Sequence, residues 1–99
     1  MKAVEFAPPA RDEFDAAVDW YESRAEGVGR RFVESVAETL EHIAEAPLEC
    51  PVWQEDTRFR KAVVHRFPYV VFYRDLPETI EVVAIAHGAR KPGYWVGRK

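Results

Sequence analysis

Polar Lys2 and Glu5 alternate with Val4 and Phe6 from Lys2 to Ala7, and Pro8-Pro9 ends the run, which predicts a short strand. From Ala10 the period changes. Ala10, Phe14, Ala17, Val18, Tyr21 and Ala25 recur at helical spacing, with Asp12, Asp15, Asp19 and Glu22 on the other side. Gly27 and Gly29 interrupt this first helix. In a second one, Phe32, Val33, Val36, Leu40, Ile43 and Ala44 form the apolar stripe, Glu34, Glu38, Glu41 and Glu45 the outer face, and Pro47 the stop. So short a break makes the helices antiparallel neighbours. Pro47 to Thr57 is a proline-flanked loop around Trp53. Three runs then read as strands: Arg58 to Arg66, Tyr69 to Asp75 and Thr79 to His87, parted by Phe67-Pro68 and Leu76-Pro77-Glu78. The last is apolar on both faces and suits a central strand, with the N-terminal strand as its second neighbour. The expected fold is α+β: a strand, a helical hairpin, then three or four antiparallel strands in a two-layer sandwich.

At 99 residues the chain is one domain, 1–99, and 47% hydrophobic residues are enough for a core. A single cysteine, Cys50, excludes an intramolecular disulfide and fits a reducing compartment. Acids stand where an export signal needs an apolar run, and no stretch is long enough to span a bilayer, so a cytoplasmic protein is expected. The net charge of −3 hides a split. Residues 1–49 carry 5 Lys/Arg and 12 Asp/Glu, residues 50–99 carry 9 and 5, so the halves stand at −7 and +4. A globally acidic chain is a poor generic binder of nucleic acid, although its basic half can form a local patch.

His42, His65 and His87 lie one per element, with no ligand spacing, so neither metal nor cofactor is expected. Gly27-Val28-Gly29 lacks the spacing of a phosphate loop. Ser23 and Ser35 lie on helices among acids, and Cys50 has no cationic neighbour to activate it. Chemistry concentrates in His87-Gly88-Ala89-Arg90-Lys91-Pro92-Gly93-Tyr94-Trp95. His87 or Tyr94 could move protons and Arg90 could stabilise a phosphorane in RNA cleavage through the 2′-hydroxyl. The same residues read equally as a strand end, a solvated tail and a Trp95 packed on the core. His65-Arg66 and Arg74 flank the Phe67-Pro68-Tyr69 turn and either extend a basic face or guard a sheet edge.

The order of elements resembles the RelE/ParE superfamily of bacterial type II toxin–antitoxin systems. The resemblance rests on Arg58-Phe59-Arg60-Lys61, on Phe67-Pro68-Tyr69-Val70-Val71-Phe72-Tyr73, and on Ile80 to Gly88 followed by Arg90, Pro92 and Tyr94-Trp95. It implies a toxin neutralised by a cognate antitoxin in a hetero-oligomer. RelE-like members are ribosome-dependent mRNA endoribonucleases, whereas ParE-like members poison DNA gyrase. The nuclease branch commonly carries arginine two residues after the position of Pro68, where this chain has Val70, and is strongly basic. The resemblance therefore favours the ParE side. A RelE-like enzyme using His87, Arg90 and Tyr94, or a member that only binds antitoxin, remains open. Arg58, Arg60, Arg66, Arg74, Lys91 and Trp95 are the expected contacts to antitoxin or target.

Overall fold

The computed structural model describes residues 2–91 and 93–98. Strand β1 (Ala3–Phe6) leads through Ala7 into helix α1 (Pro8–Arg24), the turn 25–27 and helix α2 (Val28–Glu45). After the loop 46–59 come β2 (Arg60–Val63), β3 (Tyr69–Asp75) and β4 (Thr79–His87). Pro8 and Pro9 occupy the first turn of α1, where the N–H groups they lack would have no acceptor within the helix. The hairpin turn is tight because two glycines and one acid act together. Gly27 adopts the left-handed conformation at φ 87°, which only glycine takes freely. Glu22 on α1 then accepts the N–H groups of Gly27 (3.0 Å) and Gly29 (3.0 Å), supplying the cap that α2 lacks on its own. A Cβ on Gly29 would stand 2.9 Å from the Val18 carbonyl oxygen, so the helices touch at this point. Gly29 thus belongs to α2 and does not break it.

The sheet order is β1-β4-β3-β2. β3 pairs antiparallel with β2 and β4, while β1 runs parallel to β4, from Ala3 beside Thr79 to Phe6 beside Val82. β4 is the central strand that its apolar faces predicted, and the helical hairpin followed by three antiparallel strands is borne out. The fourth strand, β1, is parallel. β4 also carries a bulge: Phe72 opposes Ala84 and Tyr73 opposes Val82, which leaves Val83 unmatched. The extra residue flips the alternation, so Ile80, Val82 and Ile85 all join the helix-side core. Val83, Ala84 and Ala86 go to the other face.

Both faces of the sheet are covered. The hairpin packs Ala10, Ala17, Phe32, Val36 and Ile43 on one, with Phe14, Val18, Tyr21 and Leu40 partly buried around them. The opposite face is closed by Trp53 and Phe59 from the loop and by Trp95, whose ring centroid lies 4.5 Å from Phe72 and 4.7 Å from Phe59.

Three expectations change. Val33 is 38% exposed and lies outside the apolar stripe, because Phe32 and Val36 already define the buried face. Ala25 is exposed as the C-terminal cap of α1. β2 is shorter than its basic, β-branched run. Asp56 folds Arg58 and Phe59 into a turn by accepting the Arg58 N–H (3.1 Å), and Arg66 at φ 69° bends the chain before Phe67-Pro68.

Candidate functional site

The chain beyond β4 turns back over the sheet end and brings His87, Arg90 and Tyr94 to one cleft of about 560 Å³. α1 contributes Ala16, Ala17, Trp20 and Tyr21 to its walls, and Tyr69 and Ile85 form the floor. The walls are mostly apolar. Trp20, 51% exposed, stands at the rim with the Arg24 guanidinium 4.5 Å above its ring.

A fourth residue, which the sequence pattern did not single out, organises this end. Glu13 of α1 accepts hydrogen bonds from the Ile85 N–H (3.1 Å), the Tyr94 hydroxyl and both terminal nitrogens of Arg98 (2.9 and 3.2 Å). Arg98 also donates to the Val83 carbonyl (3.1 Å). The side chains of Glu13 and Arg98 are only 15% and 22% exposed. β1 stops beside Val82, so the groups of β4 beyond it have no strand partner on that side, and Glu13 and Arg98 supply what a strand would have supplied. Arg90 stacks on Tyr94 at 3.8 Å and Arg98 lies 5.2 Å from the same ring. A signal for Glu13 existed: it falls three residues after Ala10 and four before Ala17, an acid within the apolar stripe.

This network fixes what the three candidates can do. Burial first, and then the hydrogen bond to Glu13, push the Tyr94 hydroxyl up to about 12. A tyrosine so placed holds its proton at neutral pH, with its hydrogen already donated. His87 accepts the Ala89 N–H at Nδ1 (3.0 Å), which leaves Nε2 to carry the proton of the neutral ring. Arg90 is exposed. The Tyr94 shift gives a measurable outcome. Burial pushes the Tyr73 phenol higher still, so ultraviolet titration should show a separate phenol ionising near pH 12 that disappears in Tyr94→Phe. Because the folded value lies above the unfolded value near 10, the stability linked to it is complete below about pH 10 and lost as pH rises through about 12. Ionisation of every phenol near 10 would contradict the geometry.

The expected binding residues do not form one face. Arg60 turns inward and donates to the carbonyls of Cys50 (2.6 Å) and Leu48 (3.3 Å), holding the loop to β2. Arg74 is engaged by Glu81 across the strand pair at 2.5 and 3.0 Å. Arg58 grips Asp56 (2.6 Å), and its guanidinium holds that carboxyl below the usual carboxylate range, although the pair is exposed and adds little stability. Trp95 is 1% exposed and belongs to the second core, so in the free chain it offers no contact surface. Arg66 and Lys91 are exposed. Arg66 sits at the His87 end of the sheet, whereas Arg74 lies toward the other end of β3, about 17 Å along the strand from Tyr69 at roughly 3.3 Å per residue. Among the described residues no group of three or more His, Cys, Asp or Glu is placed to hold a metal. No described helix is long and apolar enough to cross a membrane.

The sequence profile described as "ParE toxin of type II toxin-antitoxin system, parDE" matches residues 4–92. Comparison with curated proteins finds no match. Among solved structures the chain is similar to one titled "Chromosomal ParDE TA system from P. aeruginosa". The TM-score is 0.77 at 17% identity, covering 88% of this chain and 96% of that one, a likeness of fold.

Proposed function

Because this chain belongs to the ParE toxin family of type II toxin–antitoxin systems, we propose that it is a cytoplasmic toxin that binds and inhibits DNA gyrase, and that a cognate antitoxin neutralises it in a hetero-oligomer. The observation that carries the binding mechanism is the commitment of Tyr94. Its hydroxyl is spent on Glu13 and its ionisation is pushed far above neutral pH, so it is badly placed to move protons in RNA cleavage. Two further features support the reading. Val70 stands where the nuclease branch commonly places an arginine, and it packs in the second core. The net charge of −3 opposes the docking on ribosomal RNA that a ribosome-dependent nuclease needs.

Induced expression in a bacterial host, with and without the antitoxin, tests the proposal. Stalled gyrase–DNA complexes and a DNA-damage response with intact mRNA are expected, and both should vanish on antitoxin co-expression. Cleavage of ribosome-bound mRNA with undisturbed gyrase would instead identify the RelE-like ribonuclease. Toxin–antitoxin binding without growth arrest would identify a member that keeps only antitoxin recognition.

A further inference from the structure

We propose that the end of β4 is a docking site for an extended segment of a partner protein, which adds parallel to β4 beyond the end of β1. A large apolar side chain of the segment fills the cleft, and acidic neighbours meet Arg90, His87 and Arg24. The inference rests on the reading that this protein works by binding other proteins, and it adds where and how one of them is held.

The backbone supplies the first argument. Ala7 N–H makes the last β1-side bond to β4, at the Val82 carbonyl (2.9 Å). Next along that edge, Arg98 takes the Val83 carbonyl and Glu13 takes the Ile85 N–H. Tyr69, opposite His87, turns its carbonyl toward β2 to accept the Val64 N–H (2.9 Å), while Gly88 N–H bonds the Pro68 carbonyl (2.7 Å). In an antiparallel ladder these bonds direct the backbone groups of Ile85 and His87 away from β3. The His87 carbonyl is used by Arg90 N–H (3.0 Å). The Ile85 carbonyl and the His87 N–H are left without a partner among the described residues. One residue of a parallel strand, in register with Ala86, donates its N–H to such a carbonyl and accepts such an N–H at its own carbonyl; its side chain lies on the Ala86 face, and its neighbours' side chains lie on the cleft face with Ile85. β1 already runs parallel to β4, so the guest would continue the sense of the sheet past the point where β1 stops.

Shape and charge supply the rest. The cleft lies beside these two groups, and Ala16 and Ala17 on α1 leave space above the Tyr69 and Ile85 floor. Trp20 offers an exposed aromatic wall. The charges at this end are cationic: Arg24 on Trp20, Arg90 on Tyr94, and Lys91 beyond, while the Glu13 carboxylate is already taken by Arg98 and Tyr94. An acidic segment with one large apolar residue matches this surface in hydrogen bonding, volume and sign.

The test uses the whole ¹⁵N-labelled chain and an acetylated, amidated pentapeptide in which a phenylalanine precedes a central alanine and aspartates fill the other positions. A single-residue anchor should bind with a dissociation constant on the order of 1 mM. The His87 amide and the Trp20 indole N–H should shift together, and hydrogen exchange at the His87 amide should slow, while amides of β2 stay in place. N-methylation of the central alanine removes the donor to Ile85 and should abolish the shifts. Lysine in place of the aspartates, or Arg90→Glu in the protein, should weaken binding at least about tenfold, since like charges now face each other. Three results would overturn the proposal: no shift at several millimolar peptide, shifts centred away from β4, or binding indifferent to N-methylation. None of them touches the toxin assignment, which the gyrase and mRNA readouts test separately.

Discussion

Glu13→Ala is expected to lower folding stability by about 3 kcal/mol, the low end of what removing one partner of a buried ion pair costs, since this pair keeps some exposure. Three groups lose their acceptor at once. The Arg98 guanidinium stays half-paired with the Val83 carbonyl, the Tyr94 hydroxyl is orphaned, and the Ile85 N–H on the bulged strand has nothing to bond. For a domain of about 100 residues that is a fall in melting temperature of roughly 12–20 °C. Glu13→Gln keeps an acceptor for Ile85 and should cost about half as much. Asp12→Ala, one residue away on the exposed face, should change stability by less than about 0.5 kcal/mol. Equal melting temperatures for Glu13→Ala and Asp12→Ala would mean that the network over β4 contributes nothing.

Phe32→Ala should cost about 3–5 kcal/mol, the usual range for a fully buried aromatic. Phe32 is fully buried and sits where the hairpin meets the sheet. Its ring lies 5.1 Å from Tyr69, 5.2 Å from Tyr21 and Phe67, and 6.0 Å from Phe14. A domain of this size is stable by only about 5–15 kcal/mol, so the variant would populate the unfolded state measurably. Tyr21 and Tyr69 also line the cleft, so its walls should loosen with the same substitution. Val33→Ala on the neighbouring, exposed position is the control and should be close to neutral. Denaturant melts of the two variants decide the point, and similar midpoints would refute the assigned helix face.

What the sequence conveyed follows from which interactions are local. Helical spacing picked out Phe32, Val36 and Ile43, and two apolar faces marked Thr79–His87 as the central strand, because burial is written into periodicity. The clustering of His87, Arg90 and Tyr94 was legible because they lie within eight residues of one another. Their engagement was not. Tyr94 and Glu13 are 81 residues apart, and nothing in either neighbourhood predicts that hydrogen bond. The basic residues misled for the same reason. Arg60 and Arg74 look like free cations in sequence, and only the folded chain brings the Cys50 carbonyl to one and Glu81 to the other. The bulge at Val83 was also hidden, since an unbroken apolar run gives no sign of where the alternation flips.

Tyr94→Phe tests the binding mechanism most directly, because it removes only the hydroxyl that RNA cleavage would require and keeps the ring on which Arg90 stacks. The variant is first shown to be folded by its melting curve and bound by antitoxin. Survival after induction is then counted beside the parent, together with gyrase–DNA complexes. A toxin that acts through a distributed protein interface should keep its toxicity and its gyrase complexes within a few-fold, since only a minority of contacts in such surfaces cost more than about 1 kcal/mol. Complete loss of toxicity in a folded, antitoxin-binding Tyr94→Phe protein would contradict this account and return the tyrosine to catalysis.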